Sequence, residues 1–157
     1  MRYKVENTDY LSLMSNHVFY TTKCSFMGKY PERQISVQFD AEFFRIKDNI
    51  FELRIESFFS KPEKMGYGSA LLLFAEDEIR KICIEKDWYI EKIVGRLVKE
   101  DKESWTISVH LYDKLGKRLF HPKSKIKLYA NNEEISIKTL IQNYDEARFE
   151  IINKNAY

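Results

Sequence analysis

Residues 50–87 read IFELRIESFFSKPEKMGYGSALLLFAEDEIRKICIEKD, and the fold turns on this stretch. Ile50, Phe51, Leu53 and Ile55, with Phe58 and Phe59 following, make a β-rich run. It stops at Ser60-Lys61-Pro62, where a proline cannot donate to a ladder. Lys64-Met65-Gly66-Tyr67-Gly68-Ser69 comes next. From Ala70 onward Leu72, Ala75, Ile79, Ile82 and Cys83 recur at helical spacing, which predicts one buried face. Glu76, Asp77, Glu78, Arg80 and Lys81 are then expected in water. The reading is a buried strand, a glycine turn and a helix.

A helix that opens on two glycines has a chemical use. Its first turn leaves backbone N–H groups unpaired and carries partial positive charge, so an anion is stabilised there. Glycine at 66 and 68 removes Cβ and lets a phosphate approach, Ser69 offers a hydroxyl, and Lys61 and Lys64 add charge. An ordinary tight turn explains a bare Gly-x-Gly equally well. Two familiar phosphate loops are excluded on residue grounds. No lysine follows Gly68, as a nucleoside triphosphate loop requires. Leu71 stands where a dinucleotide fingerprint needs a third small residue.

Downstream lie a second strand, Ile90 to Val98, and a second helix through Ser104-Trp105-Thr106-Ile107-Ser108-Val109-His110. Lys64-Met65-Gly66-Tyr67-Gly68-Ser69-Ala70-Leu71-Leu72, then Ile93-Val94-Gly95-Arg96-Leu97, then Leu111-Tyr112-Asp113-Lys114-Leu115-Gly116 occur in that order. Together, over roughly residues 36 to 120, they resemble the acetyl-coenzyme A half of the GNAT superfamily of N-acetyltransferases. The chain departs from the family pattern at Glu63, where Gln or Arg is usual, at Trp105 in place of Asn, and at Lys117 in place of an aromatic.

The resemblance implies a mixed α/β fold. Its sheet would be twisted and mostly antiparallel, with a parallel, splayed strand pair at the cofactor site. It implies one domain over 1–157: an abbreviated acceptor-side region (1–34), a cofactor-binding core (35–120), and a C-terminal hairpin with a short helix (121–157). The implied reaction is direct transfer of an acetyl group from acetyl-coenzyme A, as cosubstrate, to a primary amine. Gly66, Tyr67, Gly68 and Ser69 would hold the pyrophosphate, and strand N–H groups near Phe58 and Phe59 the developing oxyanion. Tyr112 matches the tyrosine that protonates the leaving thiolate. A lysine-like amine, pKa ~10.4, is neutral in only about one molecule in ~2500 at pH 7, so a base or desolvation must supply roughly 4–5 kcal/mol. Carboxylates on the central strand are the candidates, chiefly Glu56, with Glu52 and Glu42 behind it. Tyr112 as a packing residue and Glu56 as an exposed strand carboxylate are the plain alternatives. A GNAT-fold binding or regulatory module without catalysis is the alternative for the whole chain, motivated by Glu63, Trp105 and the short front end.

Composition agrees with a packed globule: 44% of the 157 residues are apolar and 15% aromatic. With 26 basic and 24 acidic residues the net charge is +2, which gives no reason to invoke nucleic acid. Cys24 and Cys83 have no metal spacing, and Cys83 is expected as a buried free thiol. His17, His110 and His121 are scattered, so no metal is expected. No run of about 18 apolar residues and no leader is visible, and a cytoplasmic protein off the membrane is expected. Homodimerisation is left open.

Before the central stretch, Thr8 or Asp9 is expected to cap a short helix through Asn16, and 21–34 reads as loop. Asp48-Asn49 predicts a two-residue turn between Ile35–Lys47 and Ile50–Phe59. Counting back pairs Ile46 with Phe51, Arg45 with Glu52 and Phe44 with Leu53, and adjacent Phe43 and Phe44 suggest a bulge or two covered faces. Past Gly116, read as a helix end, Lys117, Arg118, Lys123, Lys125 and Lys127 form an acid-free basic run. It reads as a partner site or, more simply, a lysine-protected edge strand. Asn131-Asn132 predicts a second hairpin, 139–147 a short helix, and Phe149 to Ile152 a last strand.

Overall fold

The computed structural model describes residues 2–8, 21–27, 36–61 and 66–155, with side chains described at 38–59 and 66–155. The chain is mixed α/β and divides into two compact units, Met1–Ile90 and Glu91–Tyr157. Within each unit every strand pairing among the described residues is antiparallel.

In the first unit β1 (Arg2–Thr8), β2 (Thr21–Met27), β3 (Ser36–Lys47) and β4 (Ile50–Lys61) form a meander in chain order. Helix α1 (Tyr67–Lys86) packs on β2, β3 and β4. Alternation decides the buried face: Phe39, Ala41 and Phe43 on β3 and Phe51, Leu53 and Ile55 on β4 are buried. Leu71, Leu72, Ala75, Ile79 and Ile82 complete that core from α1. Each large side chain among these contributes about 1.5–3 kcal/mol by leaving water. Trp88 closes the turn end, stacking on Phe51 at 4.2 Å and tilting against Phe43 at 5.4 Å. Asn49 ties the turn to the helix end: its Nδ2 donates to the Asp87 carbonyl, and its carbonyl accepts from the Tyr89 N–H.

Four expectations are corrected here, and one falls outside the described residues. Thr21–Met27 is a strand, paired with β3 along Thr21–Phe26, where loop was expected. Thr8 ends β1, and the helix expected through Asn16 lies outside the described residues. Glu76 is buried at 6% exposure and not in solvent, because its carboxylate reaches Arg80 at 2.9 Å one turn on. The hairpin register is shifted by one. Ile46 bulges out between Arg45 and Lys47, so Arg45 faces Phe51, Phe44 faces Glu52 and Phe43 faces Leu53. That bulge lets Phe43 enter the core and leaves Ile46 42% exposed. Glu52 then faces Phe44 across the ladder and pairs with Arg54 at 3.2 Å on its own strand. Cys83 is half-buried, and burial pushes its thiol up to about 11.

In the second unit the strand order is β5 (Tyr89–Leu97), β8 (Ala147–Ile152), β6 (Ile126–Ala130) and β7 (Glu133–Glu134). A 3₁₀ turn (Lys99–Ser104) leads into α2 (Trp105–Leu119), and α3 (Ile137–Asn143) precedes β8. Asn131 and Asn132 both adopt positive φ, 51° and 66°, as a tight two-residue hairpin requires. Helix α3 starts and stops earlier than 139–147, because the Ser136 hydroxyl caps it by accepting from the Thr139 N–H at 3.3 Å. Ile93, Leu97, Trp105, Leu115, Leu128, Leu140, Phe149 and Ile151 form the core. Trp105 Nε1 donates to the Val98 carbonyl at 2.9 Å, so the indole is buried with its one polar group satisfied.

Two further corrections follow. The basic run is not one edge strand: Lys117 and Arg118 finish α2, while β6 is paired by β8 on one side and β7 on the other. Gly116 does not end the helix, which continues to Leu119. It is buried because β8 passes close by, and a Cβ at 116 would sit 2.5 Å from Ile151 Cγ2. Ile151 is fully buried and branched at Cβ, so it cannot swing aside. Gly116→Val is therefore expected to cost about 1–3 kcal/mol and lower the melting temperature by several degrees. An unchanged melting temperature would mean that the α2–β8 contact yields freely.

Candidate functional site

The start of α1 is held open by its own sequence. Gly66 is the N-cap at φ 82°, a conformation that costs most side chains but not glycine, and a Cβ there would meet nothing within 4 Å. The glycine is thus required for its backbone angle and not for want of room at Cβ. The first helical bond runs from the Ala70 N–H to the Gly66 carbonyl at 3.1 Å. The N–H groups up to Ser69 therefore have no partner within the helix. Among the described residues no side chain caps them, and no acid lies in the first turn. Tyr67 is half-buried, Gly68 buried and Ser69 exposed. This turn can accept an anion on backbone donors. Glu63 and Lys64 lie outside the described residues, as does the side chain of Lys61.

Toward its end β4 carries a second bulge. Ala41 faces Ile55 and Asp40 faces Ser57, so Glu56 is the extra residue. Bulges re-aim side chains, and Glu56 is exposed here. Its carboxyl hydrogen-bonds Glu42 of β3. Burial first, then that hydrogen bond and the Glu56 charge, raise the Glu42 carboxyl above the ordinary glutamate value, while Arg54 opposes the shift. Arg54 is fixed over the Phe44 ring at 3.6 Å and bonded to Glu52. Beyond the bulge Phe58 meets Phe39 edge-on at 6.3 Å, whereas Phe59 is 38% exposed. The structure thus gathers Glu42, Glu56, Phe58 and Phe59 along one stretch of the β3–β4 hairpin.

Asp40 was not singled out by the sequence. It is buried at 8% exposure; Oδ2 accepts from Ser57 Oγ at 2.7 Å and from Gln38 Nε2. Oδ1 has no hydrogen-bond partner among the described residues. In an alternating strand Asp40 shares the polar face of Gln38 and Glu42, so the sequence pattern alone would place it in water.

Tyr112 belongs to the second unit. Its ring stacks on Phe149 at 4.6 Å and 18°, and the residue is 5% exposed. Burial, with a smaller contribution from the Asp101 charge, pushes the phenol well above the ordinary tyrosine range, so it keeps its proton. No group of three or more His, Cys, Asp or Glu suited to a metal occurs among the described residues. No helix among them is long and apolar enough to cross a membrane.

No family model and no curated protein matches the chain. Among solved structures it is similar to a Bacillus subtilis acetyltransferase crystallised in complex with CoA, at 12% identity and a TM-score of 0.42, over 96% of this chain and 99% of that one. A likeness at this level carries no argument about the site.

Proposed function

We propose that the chain is an acyltransferase that moves an acetyl group from acetyl-coenzyme A directly to a primary amine. The observation that carries this reading is the open, glycine-capped start of α1 following a strand whose bulge turns a glutamate outward. Gly66, Tyr67, Gly68 and Ser69 hold the pyrophosphate on backbone N–H groups. The N–H groups near Phe58 and Phe59 stabilise the developing oxyanion, and exposed Phe59 offers apolar contact to the acyl end. Glu56 takes the proton of the attacking amine, and Tyr112 donates to the departing sulfur. Bound acetyl-coenzyme A supplies the thioester, and the acceptor is an amine small enough to reach it.

The test is calorimetric titration of the full chain with acetyl-coenzyme A, compared with Ser69→Asp and Gly68→Val. An aspartate at 69 favours the helix N-terminus, so stability should hold or rise while its charge repels the pyrophosphate. Affinity is expected to fall by about tenfold or more in Ser69→Asp. Gly68→Val should do the same by blocking approach, provided its melting curve shows a folded protein, since Gly68 is buried. Unchanged affinity in Ser69→Asp, or no binding by the wild type up to millimolar ligand, would remove the reading. A second reading, a binding module without turnover, is favoured by the buried, stacked state of Tyr112. Binding without acetylation across a broad amine panel would select it.

A further inference from the structure

In the second unit a cleft of about 190 Å³ is lined by Lys123, Lys125, Lys127, Glu150, Ile152 and Lys154. We propose that it is a binding site for a small oligophosphate, a ligand with two or more adjacent phosphoryl groups, separate from the α1 turn and independent of the acetyl-transfer reading.

The placement follows from sheet geometry. Lys127 faces Glu150 and Ile126 faces Ile151, so alternation puts Lys125, Lys127, Glu150 and Ile152 on the face opposite buried Leu128, Phe149 and Ile151. Lys123 and Lys154 are brought to the same cleft by two short segments that are locked together. Ser124 is fully buried; its N–H donates to the His121 carbonyl at 2.8 Å, and its hydroxyl accepts from the Lys154 N–H at 3.1 Å. Lys123 N–H donates to His121 Nδ1 at 3.0 Å, and Asn155 N–H to Asn153 Oδ1 at 2.9 Å. The backbone under the four ammonium groups is therefore set before any ligand arrives, which lowers the ordering cost of binding.

Charge separates this cleft from an ordinary solvated sheet face. Four lysines and one glutamate give +3, whereas the whole chain carries only +2, so the remainder is near −1. Surfaces usually intersperse the two signs. In the same unit Lys99 and Lys102 pair with Asp145, and Lys117 with Asp113. None of Lys123, Lys125, Lys127 and Lys154 has an ion pair among the described residues. The one acid present, Glu150, lies 3.8 Å from Arg148 Nη1, a further positive charge beside the lysines. Gathered, unpaired ammonium groups around a concave floor fit a multivalent anion. The cleft is small, and exposed Glu133, Glu134, Asp145 and Glu146 elsewhere in the unit oppose an extended polyanion, which favours a small ligand over a nucleic acid strand.

The experiment uses inorganic tripolyphosphate as probe, titrated into the full chain at low salt and followed by calorimetry. Saturable one-to-one binding is expected, weakened about tenfold or more in Lys125→Gln/Lys127→Gln. Lys81→Gln/Lys99→Gln, two lysines outside the cleft, should bind as the wild type does. An amine-reactive reagent gives a second readout without variants: the probe should protect Lys123, Lys125, Lys127 and Lys154 but not Lys81. Equal loss in both double variants, or protection spread over all lysines, would leave only diffuse attraction and overturn the proposal. So would displacement of the probe by acetyl-coenzyme A, which would merge the two sites, or tighter binding of single-stranded oligonucleotide than of tripolyphosphate. Because these readouts do not involve acetyl transfer, failure of the catalytic reading leaves them intact.

Discussion

Tyr112→Phe is expected to lower turnover by about 10²-fold at pH 7 while acetyl-coenzyme A affinity stays close to that of the wild type. The substitution removes one oxygen and keeps the ring stacked on Phe149, so the packing that buries the residue survives. The size follows from the phenol's state. General acids contribute about 10²–10⁴-fold, most when their pKa lies near that of the group they serve. A thiolate leaving group lies near ~8.5, while burial and the Asp101 charge hold the Tyr112 phenol far above that. The hydroxyl therefore stabilises the sulfur chiefly as a hydrogen-bond donor, which places the loss at the lower end. The raised value also has a sign. The folded phenol titrates above the unfolded one, so its contribution to stability is fully present below the ordinary tyrosine pKa and is lost as pH rises through the folded value. Wild-type melting temperature should decline above pH ~10 in a way that Tyr112→Phe does not reproduce. Full activity of the Phe variant at pH 7 would reduce Tyr112 to a packing residue.

Much of the architecture was legible because burial leaves a period in the sequence. Phe51, Leu53 and Ile55 alternate and Leu72, Ala75, Ile79 and Ile82 recur at helical spacing, and these residues do form the core of the first unit. Asn131-Asn132 was readable because only a few residue types tolerate positive φ. What escaped was what periodicity does not encode. A bulge adds a residue without changing composition, so nothing in Phe44-Arg45-Ile46-Lys47 shows that Ile46 is the one expelled, and every pairing counted from the turn was off by one. Glu76 looks wet by type, yet its stem lies on the buried face and its charge meets Arg80. Gly116 has the look of a helix end, but a close approach by Ile151 requires the same residue. The glycine turn was legible in part: the residue types pointed to an open helix start, whereas the outward turn of Glu56 and the buried Asp40 depend on cross-strand register.

That register underlies the second large effect. Glu56→Gln is expected to reduce kcat/KM by about 10²–10⁴-fold, because an amide cannot take the proton that the amine must lose to attack the thioester. Glu56 is exposed, so the variant should melt as the wild type does. Its neighbour sharpens the test. Glu42 is raised above the ordinary glutamate value by burial first and then by its hydrogen bond and charge interaction with Glu56, so it takes up a proton at higher pH than a lone glutamate. Protonated Glu42 no longer offers a negative charge that helps Glu56 hold the proton taken from the amine, so turnover should fall as pH decreases through the raised Glu42 value. Glu42→Gln removes the titrating carboxyl itself, so that limb should vanish. Arg54, which already opposes the Glu42 shift, provides the reverse control: Arg54→Met withdraws its charge and should move the limb upward. A pH–rate profile of the four proteins with a fixed amine acceptor reads the Glu56→Gln loss and both changes of the limb at once. Wild-type turnover in Glu56→Gln would exclude it as the base, and an acid limb that ignores Glu42→Gln would show that the proton is not held by this pair.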